Sequence, residues 1–413
     1  MTEALQQQIS DALLHCNKCG FCLAGCPIYK VTGIEWTAAR GRLALLRSFL
    51  DNELELQELR EPLFNCLTCN CCVDHCPSGV VTDELILKAR AELMKKQGQP
   101  WVQKLIFRKL LPNPSQLQKL VSLLGWLQVS GLRSVARHLS LTKLLGNPGK
   151  AEPILPPVPF RHHRISTYSS NLEHPKYRVA YFVGCAGINL SSQVAEAAIR
   201  VLNKHKVEVV IPDFVCCGMP AYGYGDVEST LVMARKNIDL VRCLDVDAII
   251  TTCATCGSML KRYPELLCDV SAGAVSLASK VRDITEFLID IGLNTEMNTL
   301  KYRVTYHDPC HLGRFQKVTS QPRQILQSIP GVEFVEMAEA NMCCGAAGSY
   351  SLSHYDLSMK VLARKMNNVA RTGADILVTC CPGCSMQFAH GIRENNLQMK
   401  SLELVELLDL SYR

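Results

Sequence analysis

The sequence predicts a multi-domain chain of the α+β, α/β type: a small helical metal-binding domain, then a duplicated α/β half. Three observations carry this reading. Cysteine occupies 22 of 413 positions, and eight of these form two copies of one spacing before residue 80. From residue 177 onward, each landmark recurs 125 to 129 residues later. Within each copy, apolar β-branched runs alternate with helical patterns, as in βα units around a parallel sheet.

At 48% hydrophobic and 20% charged residues the chain is globular. No charged stretch followed by an apolar one opens it, and no run of eighteen apolar residues interrupts it. A cytoplasmic protein with reduced thiols is therefore expected, and metal ligation outranks a disulfide framework.

Residues 1–97 hold the two clusters, joined by the helical-looking "AARGRLALLRSFLDNELELQELREPLF". The first reads "CNKCGFCLAGCP" and the second "CLTCNCCVDHCP", both C-x2-C-x2-C-x3-C-P. In this spacing, found in bacterial ferredoxins, three cysteines wrap one [4Fe–4S] cube and the fourth, diverted by the proline, ligates the other. The rule assigns Cys16, Cys19, Cys22 and Cys76 to one cube, and Cys66, Cys69, Cys72 and Cys26 to the other. A pair of zinc sites is the competing reading, but zinc does not require the trailing proline twice. Cys71 falls outside the pattern and reads as a packed thiol.

Residues 98–176 contain no cysteine. Leu-rich helices broken at "LPNPS" lead into a proline-rich linker, "GNPGKAEPILPPVPFRHHR", expected to be extended. Between Trp101 and Lys150 there is no Asp or Glu, but there are eight basic residues, against a whole-chain net charge of +6. Basic helices bearing Trp101 and Trp126 suit an anionic membrane surface or an acidic flavoprotein partner. Nucleic acid is a poor candidate, because no recognised module surrounds the charge.

Residues 177–300 and 301–413 are the two copies. "YRVAYFVGC" echoes "YRVTYHDPC", "DFVCCG" echoes "NMCCG", and "VDAIITTCATC" echoes "ADILVTCCPGC". The first copy offers Cys185, Cys216, Cys217, Cys253 and Cys256; the second offers Cys310, Cys343, Cys344, Cys381 and Cys384. Five thiols exceed what one cubane or one zinc uses, and an odd number argues against disulfides. The cysteines fall where strands pass into helices, the usual place for sites in such sheets.

The C-x(~30)-CCG-x(~35)-CxxC pattern resembles the cysteine-rich CCG module of heterodisulfide reductase. That resemblance implies a noncubane [4Fe–4S] cluster with five cysteine ligands in each copy, with zinc in one copy as the variant. With "ARGRLALL" and "CLTCNCCVDHCPSGV", nearly the whole chain resembles the glycolate oxidase iron–sulfur subunit family. It implies a di-cluster ferredoxin domain followed by a duplicated CCG domain. It also implies an electron-transfer role beside an FAD-containing 2-hydroxyacid dehydrogenase subunit acting on glycolate or D-lactate. Electrons would leave to a quinone or another carrier, with residues 101–150 at the inner face of the membrane. The anaerobic glycerol-3-phosphate dehydrogenase small subunit shares the layout, and a disulfide-cleaving role is the other alternative. In glycolate-type subunits the first CxxC is often incomplete, so the pair Cys253 and Cys256 is a departure that leaves room for thiol chemistry.

His307 and His311 flank Cys310 in "HDPCH" and are the candidate catalytic groups, as proton donors beside a cluster. The alternatives are hydrogen bonding to cluster sulfurs and helix capping by Asp308. Cys380 reads as a buried thiol, and Cys243 and Cys268 as core. No G-x-G-x-x-G opens a helix after a strand and no flavin signature is present, so hydride chemistry belongs to a partner.

Overall fold

The computed structural model describes residues 2–130, 146–156, 172, 174–267 and 272–413. Arg133, Arg137 and Lys143 of the basic window, residues 157–164 of the proline-rich linker and Cys268 lie outside the described residues. The described part of the linker, expected to be extended, instead turns through Asn147–Lys150 and Glu152–Ile154, since a proline in the first turn of a helix costs no hydrogen bond.

Three helices, Glu3–His15, Ala39–Leu50 and Thr82–Gln97, enclose the N-terminal core of Leu5, Ile9, Leu43, Leu46, Leu63, Ile86 and Leu93. The helix expected across the whole joining stretch stops at Leu50. Asn52 there takes a left-handed φ of 59°, a residue type and conformation that end helices, and the chain turns until Arg60–Phe64. The two cysteine loops share one local conformation. Lys18 and Thr68, between the first two cysteines of each, have φ of 53° and 48°; Gly20 and Asn70, after the second, have 84° and 61°.

The basic segment begins with Trp101–Leu105 and Ile106–Leu110. The chain then bends and restarts as Pro114–Val129, with proline in the first turn, where its missing N–H costs nothing. Its side chains Lys104, Arg108, Lys109 and Lys119 are exposed.

Each repeat is a four-stranded, all-parallel sheet. β1 (Tyr177–Tyr181), β2 (Val207–Val210), β3 (Ala248–Thr251) and β4 (Val281–Asp283) lie in the order β2-β1-β3-β4. β5 (Tyr302–Tyr306), β6 (Val332–Val335), β7 (Ile376–Thr379) and β8 (Lys400–Glu403) repeat it as β6-β5-β7-β8. β3 and β7 are buried at every residue, as sheets covered on both faces require. In each sheet the order reverses between the first and third strands, which opens a crevice at their carboxyl ends.

One apolar core runs through both repeats, with Val179, Ile250 and Leu288 from the first and Val304, Val378 and Leu407 from the second. Helix Ser192–Lys204, after β1, packs on Leu404–Ser411, after β8; reciprocally Ile284–Asp290, after β4, packs on Ser320–Ser328, after β5. This exchange relates the repeats by an approximate two-fold axis.

Candidate metal centres

The second ferredoxin-type set gathers in one place. Cys66, Cys69 and Cys72 line a single small cavity together with Cys26 from the other loop, and Arg42 and Asp83 complete the wall. Five thiols line this space, and the four that belong to the spacing are a donor set that fits an iron–sulfur cube. For the first set, Cys22 lies within electrostatic range of Cys16 and Cys19. Asn17 Nδ2 donates to Ser78 Oγ at 2.9 Å, which draws this loop to the chain just beyond Cys76. Cys71, which the spacing leaves outside the pattern, is buried and lines the same cavity, 3.7 Å from His75 Nδ1.

In the repeats, the five cysteines of each copy lie beyond the carboxyl ends of the strands, in the crevice. Cys185 follows β1, Cys216 and Cys217 follow β2, and Cys253 and Cys256 follow β3; the second copy repeats this placement. Cys216 Sγ lies 3.8 Å from Cys185 Sγ, and Cys344 Sγ 3.4 Å from Cys384 Sγ. The glycine after each pair holds a left-handed φ, 93° at Gly218 and 88° at Gly345. A Cβ there would stand 3.0 Å from Thr230 Cγ2 or 2.8 Å from Ser358 O, so the turn that presents the adjacent thiols needs glycine. The second cysteine of each pair is the acidic one. Hydrogen bonds with Cys216 and Cys256 bring Cys217 down to about 5, and those with Cys343 and Cys384 push Cys344 well below an ordinary thiol. A thiolate is the form that binds iron or zinc, so both sets suit a metal.

The sets also touch one another. Cys69 of the ferredoxin-type domain and Cys310 each lie beside Cys343, and Cys381 lies beside Cys253 across the two-fold axis. Thiols therefore follow one another from Cys69 through Cys343, Cys344, Cys384 and Cys381 to Cys253, Cys256, Cys217, Cys216 and Cys185. Arg314, buried between the domains, donates to Cys69 O at 3.3 Å and Asn341 O at 2.6 Å and pairs with Asp74 at 3.2 Å.

The two histidines play different parts. His307 is fully buried and donates from Nδ1 to Ala340 O at 3.1 Å, so the bare lone pair of Nε2 faces inward without a partner. His307, Cys344 and Cys384 present ligand atoms that all lie within 4.8 Å of one another. Burial, then the nearby Lys365 charge, pushes this imidazole well below its ordinary range, so it stands as an acceptor and not as an acid. His311 bridges the repeats through Ser258 Oγ at 2.7 Å and is brought to about 4 by burial. Asp308 caps no helix; it holds Arg323 in a two-pronged pair at 2.8 and 2.7 Å. Cys380 accepts from Tyr306 Oη at 3.6 Å, and in the first copy Thr252 Oγ1 shares a hydrogen bond with Tyr181 Oη at 3.0 Å. Cys243, expected in the core, is exposed at the end of helix Val227–Arg242.

Residues 12–80 match the 4Fe-4S dicluster domain, residues 179–261 and 304–389 each match the cysteine-rich domain, and residues 98–155 match the linker region of the glycolate oxidase iron-sulfur subunit. The chain is 34% identical to the probable glycolate oxidase iron-sulfur subunit of Bacillus subtilis (strain 168), over 96% of this chain and 93% of that one. The chain belongs to the glycolate oxidase iron–sulfur subunit family. Members of this family are iron–sulfur subunits of oxidoreductase complexes. The chain is also 29% identical to a subunit of the dihydromethanophenazine:CoB–CoM heterodisulfide reductase of Methanosarcina mazei, over 95% of this chain and 92% of that one. A crystal structure of a hypothetical protein from Helicobacter pylori shares the fold, with a TM-score of 0.56, 11% identity, and coverage of 99% of this chain and 73% of that chain.

Sequence reasoning about this family member missed its buried cations. Arg90 donates to Leu63 O, Cys66 O and Gly223 O at 2.7, 2.6 and 2.7 Å, tying the second cysteine loop to the first repeat. Lys365 Nζ donates to Glu339 O and Ala340 O at 2.5 and 2.9 Å beneath Cys343 and Cys344, and burial lowers it to about 8. The local sequence of neither differs from that of an exposed basic residue.

Proposed function

We propose that the chain is the electron-carrying subunit of a flavin-dependent 2-hydroxyacid dehydrogenase complex acting on glycolate or D-lactate. An FAD-containing partner oxidises the substrate, and this chain passes the electrons to a quinone or another carrier. On this reading Cys16, Cys19, Cys22 and Cys76 hold one cube, and Cys26, Cys66, Cys69 and Cys72 the other. Each five-cysteine set of the repeats holds a noncubane cluster, with zinc as the variant in one. Such clusters supply one-electron transfer at potentials set by charge, hydrogen bonds and exposure. The chain's own residues bind them, exclude water and shape their field. Backbone amides point at the sulfurs, Thr68 N at Cys66 Sγ (3.3 Å), Cys256 N at Cys253 Sγ (3.4 Å) and Gly345 N at Cys343 Sγ (3.5 Å), and Arg314 sets a buried positive charge beside Cys69, Cys310 and Cys343.

The unbroken succession of thiols from Cys69 to Cys185 carries this reading, because a scaffold of isolated zinc sites has no use for contact between its ligand sets. The contact of Cys253 with Cys381 also supports a second reading, in which the paired repeats cleave a disulfide. Both sulfurs are buried, at 7% and 5% exposure, which favours electron transfer over attack by an external disulfide. Iron and acid-labile sulfide, with EPR, on anaerobically purified chain would decide the cluster content. About sixteen irons would fit four filled sites, and about eight with zinc would confine electron transfer to the N-terminal domain.

A further inference from the structure

A cavity of 520 Å³ lies where the N-terminal domain, the basic helices and both repeats meet, and no cysteine lines it. Its size is that of a small-molecule site. Aromatic faces form part of its wall: Phe64 and Tyr224 lie 6.1 Å apart, centre to centre, with the Arg60 guanidinium 5.3 Å over Phe64. Opposite polar groups line it too. Tyr224 Oη donates to Ser353 Oγ at 3.0 Å, and Ser353 Oγ bonds His354 Nδ1 at 2.8 Å, so His354 Nε2 has no protein partner among the described residues. Gln103 Oε1 is buried without a hydrogen bond among the described residues. Glu58 and Glu61 also line the cavity, so its wall carries no surplus positive charge and disfavours an anion such as a hydroxyacid.

The cavity connects to the cube. Phe64 is two residues from Cys66, a span of at most about 7 Å. On the other wall, His354 stacks on Tyr350 with ring centres 4.6 Å apart, and Tyr350 Oη donates to Asn65 O at 3.2 Å, next to Cys66. The five-residue helix that carries Gln103 turns Trp101 outward at 76% exposure, with Val102 and Leu105. An apolar ligand thus finds apolar side chains next to Gln103.

We propose that this cavity is a quinone-reduction site: a neutral, planar, lipid-soluble ring sits against Phe64 and Tyr224, its carbonyl oxygens accept from Gln103 Nε2 and His354 Nε2–H, and its hydroxyl, once reduced, donates to Gln103 Oε1. The proposal rests on the electron-transfer reading above. Reduction adds two electrons, one at a time, and two protons to the quinone, turning its two carbonyls into hydroxyls. The electrons come from the reduced clusters of the chain, which the partner's substrate oxidation recharges, and the protons come from water. Burial and the Arg90 charge bring His354 to about 4, so near neutral pH its imidazole is neutral and acts as a hydrogen-bond partner of the quinone.

Menadione is the probe. Its binding to the oxidised full chain is read by tryptophan quenching, and reoxidation of dithionite-reduced chain is followed by the loss of the reduced EPR signal. The site predicts saturable binding and a saturable reoxidation rate. Gln103→Leu, which keeps the bulk and removes the hydrogen-bonding amide, and Tyr224→Phe each raise both half-saturation concentrations by severalfold, while reoxidation by ferricyanide stays unchanged in both. A linear, unsaturable menadione rate that both variants leave intact would overturn the proposal. Failure of both acceptors to reoxidise the chain, with binding still saturable and variant-sensitive, would instead reject the electron-transfer reading and leave a quinone-binding cavity standing.

Discussion

Asp283 shows how much one buried carboxylate decides. It caps the helix after β4, with Oδ1 accepting from Thr285 N at 2.9 Å, while Oδ2 has no partner. Burial raises it from 3.8 to about 6, so over that range the folded chain keeps a proton that the unfolded chain has released. Stability therefore falls as pH climbs through that window and stays lower above it, by an amount on the order of 3 kcal/mol. Asp283→Asn keeps the capping oxygen and removes the charge. Its urea midpoint should exceed that of the parent at about pH 7.5, with the gain shrinking at about pH 5. Equal gains at both would mean the carboxylate is already neutral or freely solvated. Of the site, the ligand candidates were legible at this scale because spacing alone marks them. Arg90, Arg314 and Lys365 were not, because what distinguishes them is burial created by segments far away in sequence.

At the scale of elements, helix Cys310–Gln316 clamps the N-terminal domain to the second repeat through Arg314. Arg314→Met forfeits two charge-assisted hydrogen bonds and leaves the Asp74 carboxylate without its buried partner, a loss of about 2–4 kcal/mol. Calorimetry should then show the N-terminal domain melting before the repeats; one unchanged transition would place the clamp elsewhere. Four of the eight strands, β2, β3, β6 and β7, were legible as β-branched runs, and β1 and β5 stood out only as echoes of one another. β4, "VRD", and β8, "KSLE", were not legible, since short charged edge strands carry no alternation and form only because β3 and β7 offer an edge. The joining helix was read too long because a propensity for helix does not reveal where an asparagine will turn left-handed, as Asn52 does.

At the scale of the whole molecule, the two halves draw their order from different sources. The repeats share an extensive apolar core, whereas the N-terminal domain has a small one and several helices of four to six residues around its cysteine loops. Stripping iron with a chelator and oxidant should therefore expose residues 16–76 to limited proteolysis while residues 177–413 resist it. Uniform cleavage across the chain would show that the repeats too depend on their metal. The crossing of Cys26 into the second loop's cavity has a consequence for biogenesis. With that assignment neither cube can be finished from one loop alone, and Cys69 ends beneath Arg314 and Cys343. Assembly machinery must deliver iron to the N-terminal domain before the second repeat closes over it, so a chain that docks too early would be trapped short of a cofactor.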